Sequence, residues 1–127
     1  MLDEDSIKMY IEADPDVSNF QAHHEGLYQF DARVNNRPDM APANIIASTK
    51  VNTLVVLMLA KIDVAGNGLA AALAATGQVG VIGVAKLGDD FYLRYGFFRE
   101  FAKPPALNNG IQALALAYNF YLQERQN

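Results

Sequence analysis

The sequence has no cysteine, no long apolar run and no cluster of basic residues. The absence of cysteine excludes disulfides, thiol catalysis and thiolate metal sites, and it fits a reducing compartment. Apolar runs such as Leu54–Ala60 are far shorter than the roughly 20 residues that a membrane span requires. The 10 Lys and Arg residues are scattered along a chain of net charge −4. This charge pattern argues against a nucleic-acid or anionic-membrane partner, because such partners need clustered cations.

The remaining composition is that of a globular protein. The chain has 127 residues, of which 51% are hydrophobic and 19% charged, enough to bury a core of its own. We therefore predict a single domain over residues 1–127. The segment Met1–Asp5 is acidic, whereas a secretory signal begins with basic residues. The expected location is the cytoplasm, without a membrane span.

The strongest local pattern predicts a β-hairpin between Val79 and Phe101. A β-branched, glycine-containing segment, Val79–Leu87, is followed by a turn at Gly88–Asp90 and by an aromatic segment, Phe91–Phe101. Such a pattern is typical of two antiparallel strands. It predicts a sheet in the second half of the chain.

The register of this hairpin stays open at the level of sequence. A three-residue loop pairs Leu87 with Phe91, whereas a type II′ turn at Gly88 and Asp89 pairs Val84 with Leu93. In either register one set of alternate residues shares a face, which we assign to the core: Phe91, Leu93, Tyr95 and Phe97. Tyr92 and Phe98 then point away from it, where a second helix or a partner could cover them.

The other elements follow from periodicity and turn residues. Alternation predicts a strand at Tyr28–Val34, and Val17–Ala22 is a candidate for an earlier strand. The segment Leu54–Leu59 does not alternate, which indicates a central strand covered on both faces, although periodicity leaves a buried helix open as the alternative. Helices are predicted at Ser6–Ala13, at Leu69–Thr76 with Asn67 as N-cap and Gly77 as the left-handed C′ residue, and at Pro105–Glu124. The last helix carries an apolar stripe: Leu107, Ile111, Leu114, Tyr118 and Leu122. The predicted class is α+β, an antiparallel sheet with a short middle helix and a C-terminal helix packed on it.

One motif suggests a nucleotide site. The segment Gly66–Ala71 matches the dinucleotide fingerprint G-x-G-x-x-A, and Asp89 follows about twenty residues later. Against this, the predicted helix is short, the next strand folds back as a hairpin rather than crossing to a parallel neighbour, and few residues remain for a doubly wound domain. We therefore interpret Gly66 and Gly68 as turn residues around a helix cap.

Other reactive residues do not form a recognisable site. His23 and His24 are adjacent, so in a strand they point to opposite faces and cannot share one metal ion. The pairs Asp14/Asp16 and Asp89/Asp90 lie beside proline or glycine, where turn chemistry accounts for them. We predict no catalytic, cofactor-binding or metal-binding residue, and hence no cofactor.

The order of elements resembles the type III secretion chaperone-like fold. The correspondence uses the strands at Tyr28–Val34 and Asn44–Val64, the helix in Asn67–Gly77, the hairpin Val79–Phe101 and the last helix, Pro105–Glu124. The resemblance implies a small acidic homodimer that binds another protein and catalyses nothing.

The first hypothesis is accordingly a non-enzymatic protein-binding or chaperone-like module that forms a homodimer. Four apolar residues on the hairpin and the middle helix are predicted to form its partner or dimer interface: Leu69, Leu73, Tyr92 and Phe98. The alternatives are a small nucleotide- or ligand-binding enzyme that uses Gly66 and Gly68, and a structural assembly subunit of a larger particle.

Overall fold

The computed structural model describes residues 2–127, which form three helices and six strands. In chain order these are α1 (Glu4–Glu12), β1 (Val17–His24), β2 (Leu27–Ala32), β3 (Ala43–Ser48), β4 (Val55–Ile62), α2 (Gly68–Gln78), β5 (Gly83–Leu87), β6 (Asp90–Phe98) and α3 (Pro104–Arg125). The predicted α+β class, with a short middle helix and a C-terminal helix, is confirmed. No helix within these residues combines the length and the apolar character needed to cross a membrane.

All six strands belong to one sheet of order β1-β2-β3-β4-β6-β5, and every neighbouring pair is antiparallel. Strands β4 and β5 consequently run in the same direction, with β6 between them. Because α2 connects β4 to β5, the three elements form a split β-α-β unit. The strand after the glycine motif folds back as a hairpin with β6 and is not a parallel neighbour of β4, as predicted, because the crossover skips one strand.

The hairpin register is the one with the two-residue turn. Val84 pairs with Leu93, and Leu87 pairs with Asp90, which leaves Gly88 and Asp89 as the turn. Gly88 has φ +63°, the value that a type II′ turn requires at its first central position. The alternative pairing of Leu87 with Phe91 is wrong.

The core lies between one face of the sheet and the helices. Val56, Met58 and Ala60 of β4 point into it and are fully or almost fully buried. Helix α3 lies close to this face: a Cβ on Gly110 would overlap the ring of Tyr95 and come within 2.6 Å of the Met58 methyl group. Glycine at this position therefore sets how closely the helix approaches the sheet.

The apolar stripe of α3 is confirmed in its first half and shifts in its second. Leu107, Ile111 and Leu114 are completely buried. Beyond them Tyr121 is the buried residue, whereas Tyr118 and Leu122 are only partly buried. The stripe shifts because α3 packs against α2 as well as against the sheet.

All three helices lie on the same side of the sheet. Helix α2 packs chiefly on α3 and also on β5, with Ala71, Ala72 and Ala75 turned inward. The opposite side carries no helix, and we call it the open face. Its inner strands β2, β3, β4 and β6 present these side chains there: Gln29, Asp31, Asn44, Ile46, Val55, Leu57, Leu59, Lys61, Tyr92, Arg94 and Phe98.

Strand β4 is central, as predicted. Leu57 and Leu59 lie on the open face yet are buried by neighbouring side chains, since both are 7% exposed. Burial on both sides of the strand is therefore confirmed. Leu54, which the prediction included in the strand, lies outside it and is exposed.

The caps of α2 differ from the prediction. Asn67 occupies the N-cap position but makes no side-chain capping bond to α2. Its amide instead donates to the carbonyl oxygen of Arg125 at 3.0 Å, near the end of α3. Gly77 lies inside the helix, which ends one residue later, and its φ is not positive. The amide of Val79 still donates to the carbonyl of Ala75, so helical hydrogen bonding runs past the predicted stop.

Candidate protein-binding surface

The four predicted interface residues lie on two separate surfaces. Tyr92 and Phe98 project from β6 onto the open face. Leu69 and Leu73 are exposed on the outer side of α2, in the helical layer. Leu69 and Leu73 cannot join Tyr92 and Phe98, because α2 lies on the side of the sheet opposite the open face. A common surface for the hairpin and the middle helix is therefore not formed.

Three large apolar side chains are exposed together at one end of the sheet. Leu54 is 65%, Phe98 is 70% and Phe101 is 86% exposed. We call these three residues the apolar patch. Together with Arg99 and Glu100 they line an open cavity of about 550 Å³. Contiguous exposed apolar side chains of this kind are characteristic of protein-interaction sites.

Local backbone geometry brings the patch together. Val55 pairs with Phe98, and the amide of Arg99 donates to the carbonyl of Leu54 at 2.9 Å. Phe101 follows in the turn before α3. The neighbours Phe97 and Phe98 must point to opposite faces of the sheet, and the core takes Phe97.

A buried arginine supports the patch from beneath. Arg99 donates through Nε to the carbonyl of Leu2 at 3.0 Å and through a terminal nitrogen to the carbonyl of Thr53 at 2.9 Å. The same guanidinium lies 3.6 Å from the carboxylate of Glu4. A buried charge held in this way by a counterion and by backbone acceptors is costly to disturb. The loop that carries Leu54 and the turn that carries Phe101 are consequently tied to the amino-terminal helix.

Glu4 extends this support to the strands. Its carboxylate accepts hydrogen bonds from the hydroxyls of Thr49 and of Tyr28, the latter at 3.0 Å. Burial is the main cause of a raised pKa for Tyr28, and the nearby Glu4 carboxylate adds to it. The Tyr28 hydroxyl therefore stays protonated and can donate. The pairing of Glu4 with Arg99 was missed by sequence reasoning, since residues so distant in the chain show no common pattern.

The other end of the sheet carries a charged cleft of about 490 Å³. Its walls include the pair Arg125–Asp63 at 2.8 Å and the pair Lys61–Asp90 at 3.4 Å. The amide of Ala65, followed by Arg125, lowers the pKa of Asp63. The hydroxyl of Tyr121 donates to the Asp63 carbonyl at 2.8 Å. These polar groups are engaged with one another and fasten α3 to the end of β4.

The glycine motif lies behind this cleft and does not line it. Gly66 has φ +60° with open space around it, a turn conformation that favours glycine. A Cβ on Gly68 would overlap the carbonyl of Asp63. Both glycines are therefore explained by the backbone geometry of the turn. Asp89, the acid of the fingerprint, lies across the cleft in the hairpin turn.

The two histidines have different partners, in agreement with their predicted opposite directions. His23 contacts the side-chain oxygen of Gln29 at 2.7 Å, and His24 contacts the carbonyl of Glu25 at 3.1 Å. Within residues 2–127, no three His, Asp or Glu side chains are placed to hold a metal ion. The Asp14 carboxylate accepts from the amide of Asp16 at 2.8 Å, which confirms its predicted turn chemistry.

A chain of side-chain hydrogen bonds covers the β1–β3 half of the open face. Asp31 accepts from Asn19 at 2.7 Å and from Asn44 at 3.0 Å. Asn44 in turn accepts from Gln29 at 2.8 Å. The bonds from Asn19 and then Asn44 lower the pKa of Asp31. This half of the face is therefore largely polar, whereas the β4–β6 half carries apolar side chains and the cations Lys61 and Arg94.

No protein-family model, curated protein or solved structure matches the chain. The resemblance to the type III secretion chaperone-like fold therefore stays a prediction.

Proposed function

We propose that this protein is a non-enzymatic, chaperone-like protein-binding module that acts as a cytoplasmic homodimer. The observation that carries the proposal is the apolar patch of Leu54, Phe98 and Phe101. Exposed apolar residues are common singly, whereas three adjacent large ones favour a partner that removes them from water.

The size of the patch supports a partner with one or two apolar anchor residues. An aromatic side chain offers about 150–250 Å² of contact area, so Phe98 and Phe101, which are 70% and 86% exposed, together expose about 300 Å². Aromatic residues are enriched among those that dominate binding energy at interfaces. A partner segment that inserts a leucine or phenylalanine into the 550 Å³ cavity would bury both rings.

The support beneath the patch also favours binding. Arg99 fastens the Leu54 loop and the start of the Phe101 turn to α1 through its bond to Thr53 and its ion pair with Glu4. A surface whose shape is already set requires less ordering when the partner arrives. The rings would then act as preformed contacts.

The enzyme alternative has less support. Carboxylates with lowered pKa values, such as Asp31 and Asp63, are held ionised by hydrogen bonds, whereas a general acid needs a raised pKa. The glycines of the fingerprint serve the turn before α2. The assembly-subunit alternative would predict particles larger than a dimer, which a mass measurement distinguishes.

The binding proposal can be tested with a displayed peptide library selected on the native protein. Calorimetry then measures the affinities of the enriched peptides for the native protein, for Phe101→Ser and for a matched control, Val81→Ser. Val81 is also exposed but does not line the patch. We expect Phe101→Ser to weaken binding by about tenfold or more, as for a central aromatic contact, and Val81→Ser to have no effect.

Equal affinities for the native protein and Phe101→Ser would contradict the proposal, as would failure to enrich any peptide. A parallel titration with ATP and NAD addresses the enzyme alternative. Saturable binding of either nucleotide that is lost in Gly66→Ala would replace the binding-module proposal.

A further inference from the structure

We propose that two copies of the chain pair through their open faces, forming a sandwich of two sheets with the helices outside. This inference rests on the homodimer in the proposed function and names the surface that forms it.

The centre of the open face is apolar where β3 meets β4, and neighbouring side chains leave Leu57 and Leu59 only 7% exposed. Ile46 pairs with Leu59, and Leu59 pairs with Arg94 on the next strand. In the adjacent row, Leu57 lies between Ser48 and Gly96. In a β-sandwich the side chains of the two inner faces pack against one another, and the apolar side chains between β3 and β4 supply such a contact.

The two halves of the face carry opposite charges that have no ionic partner on this face. Arg94 is exposed and makes no ion pair within residues 2–127. Its guanidinium lies over Gly96, 3.3 Å from where a Cβ would be. Asp31 receives only neutral amide donors from Asn19 and Asn44. Lys61, by contrast, is already paired with Asp90.

A two-fold axis brings these charges together. The strands β2 and β6 lie at equal distances on either side of the line between β3 and β4. An axis along this line, parallel to the strands, places β2 of one copy over β6 of the other. The backbone of Arg94 then lies one row, about 7 Å along the strand, from that of Asp31 of the second copy, and the Arg94 side chain reaches this carboxylate by turning away from Gly96, over which it lies in the single copy. The symmetry of an isologous contact makes this pair twice.

The area of the face agrees with a stable dimer. Six strands spaced about 4.8 Å apart, averaging about seven residues that rise 3.3 Å each, give a face of roughly 670 Å². A standard interface buries about 800 Å² on each partner. The two rings of the apolar patch offer only about 300 Å², which is too small an area for a stable dimer interface. The whole open face is therefore the better candidate for self-association.

The arrangement leaves Leu54 and Phe101 of each apolar patch free for the partner of the proposed function, whereas Phe98, the last residue of β6, lies at the edge of the paired faces. Because the axis is parallel to the strands, both patches lie at the same end of the dimer. Phe101 and Leu54 are outside the strands of the sheet and project beyond the sandwich. One dimer would thus present two neighbouring binding sites.

Charge reversal tests the pairing by sedimentation equilibrium. We expect the native protein to dimerise at tens of micromolar, and Arg94→Glu and Asp31→Arg each to weaken the dimer by about tenfold or more. The double variant should restore dimerisation to within a few fold of the native value. Lys8→Glu, an exposed change on α1, is the matched control and should have no effect.

Cysteine cross-linking gives a second measurement that does not depend on charge reversal. Because the chain has no cysteine, single cysteines can be introduced freely. Gln29→Cys protein mixed with Arg94→Cys protein should be joined by a short bis-maleimide, whereas a mixture of Lys8→Cys with Arg94→Cys should not.

The outcomes separate this inference from the proposed function. A native dimer that is insensitive to both charge reversals, or that is not restored in the double variant and does not cross-link, would overturn the open-face geometry and leave the homodimer standing. A strictly monomeric native protein would overturn both the geometry and the homodimer. Peptide binding at Phe101 is measured independently of either result.

Discussion

The two faces of the sheet are built by the same strands but have different consequences for the molecule. Val55 and Val56 are neighbours in β4, yet Val56 is completely buried in the core, whereas Val55 lies half-buried on the open face beside Phe98. The helix-covered face consists of apolar side chains that pack at close range. The open face combines a polar hydrogen-bond chain with an apolar band. The comparison indicates that stability depends mainly on one face, which leaves the other free for association.

The most severe test of this difference places the same charge on each face. Val56→Asp would bury a carboxylate without a partner, and we expect a loss of more than about 4 kcal/mol, enough to unfold the protein. In the monomeric protein, Val55→Asp can hydrate its carboxylate and should cost about 1 kcal/mol. Circular dichroism and urea unfolding measure both. A soluble, cooperatively folded Val56→Asp protein would contradict the assignment of the core face.

A smaller test adds one methyl group to a glycine on each side. Gly110→Ala forces the new methyl against the ring of Tyr95 and the Met58 methyl group, which should destabilise the fold by about 1–3 kcal/mol. At Gly96 the nearest group on the open face is the exposed guanidinium of Arg94, which can move away. Gly96→Ala should therefore be neutral or slightly stabilising.

Melting temperatures of the two alanine variants decide this comparison. Equal changes at both positions would show that the open face is as tightly packed as the core.

The smallest effect concerns pH and is confined to the open face. The bonds from Asn19 and Asn44 lower the pKa of Asp31 below the usual 3.8. A carboxyl with a lowered pKa in the folded state stabilises it above the unfolded value, and this contribution disappears as pH falls through the folded pKa. Native protein should therefore exceed Asp31→Asn in stability at pH 6, by less than about 1 kcal/mol.

Urea unfolding at pH 6 and below pH 3 measures this difference. We expect the advantage of the native protein over Asp31→Asn to vanish at the lower pH. A difference that does not change with pH would mean that the Asp31 hydrogen bonds add no stability through the charged carboxylate.

Much of the fold could be predicted because its signals are local. The alternation in Phe91–Phe97 identifies the core face of β6, and the spacing of Leu107, Ile111 and Leu114 identifies the buried side of α3. Both follow from backbone periods that each segment has by itself. The exposure of Phe98 follows from the same alternation. It is the only residue of the apolar patch that was predicted as part of an interface.

The rest required the tertiary structure. The sequence by itself determined which side of each strand and helix is apolar, because neighbours along the chain set those periods. Only the folded chain decided that α2 joins α3 in one layer, that the Asn67 side chain binds the end of α3, and that Arg99 pairs with Glu4 beneath Leu54 and Phe101. Each of these contacts joins segments far apart in sequence. Their geometry exists only after the sheet and the helices have packed together.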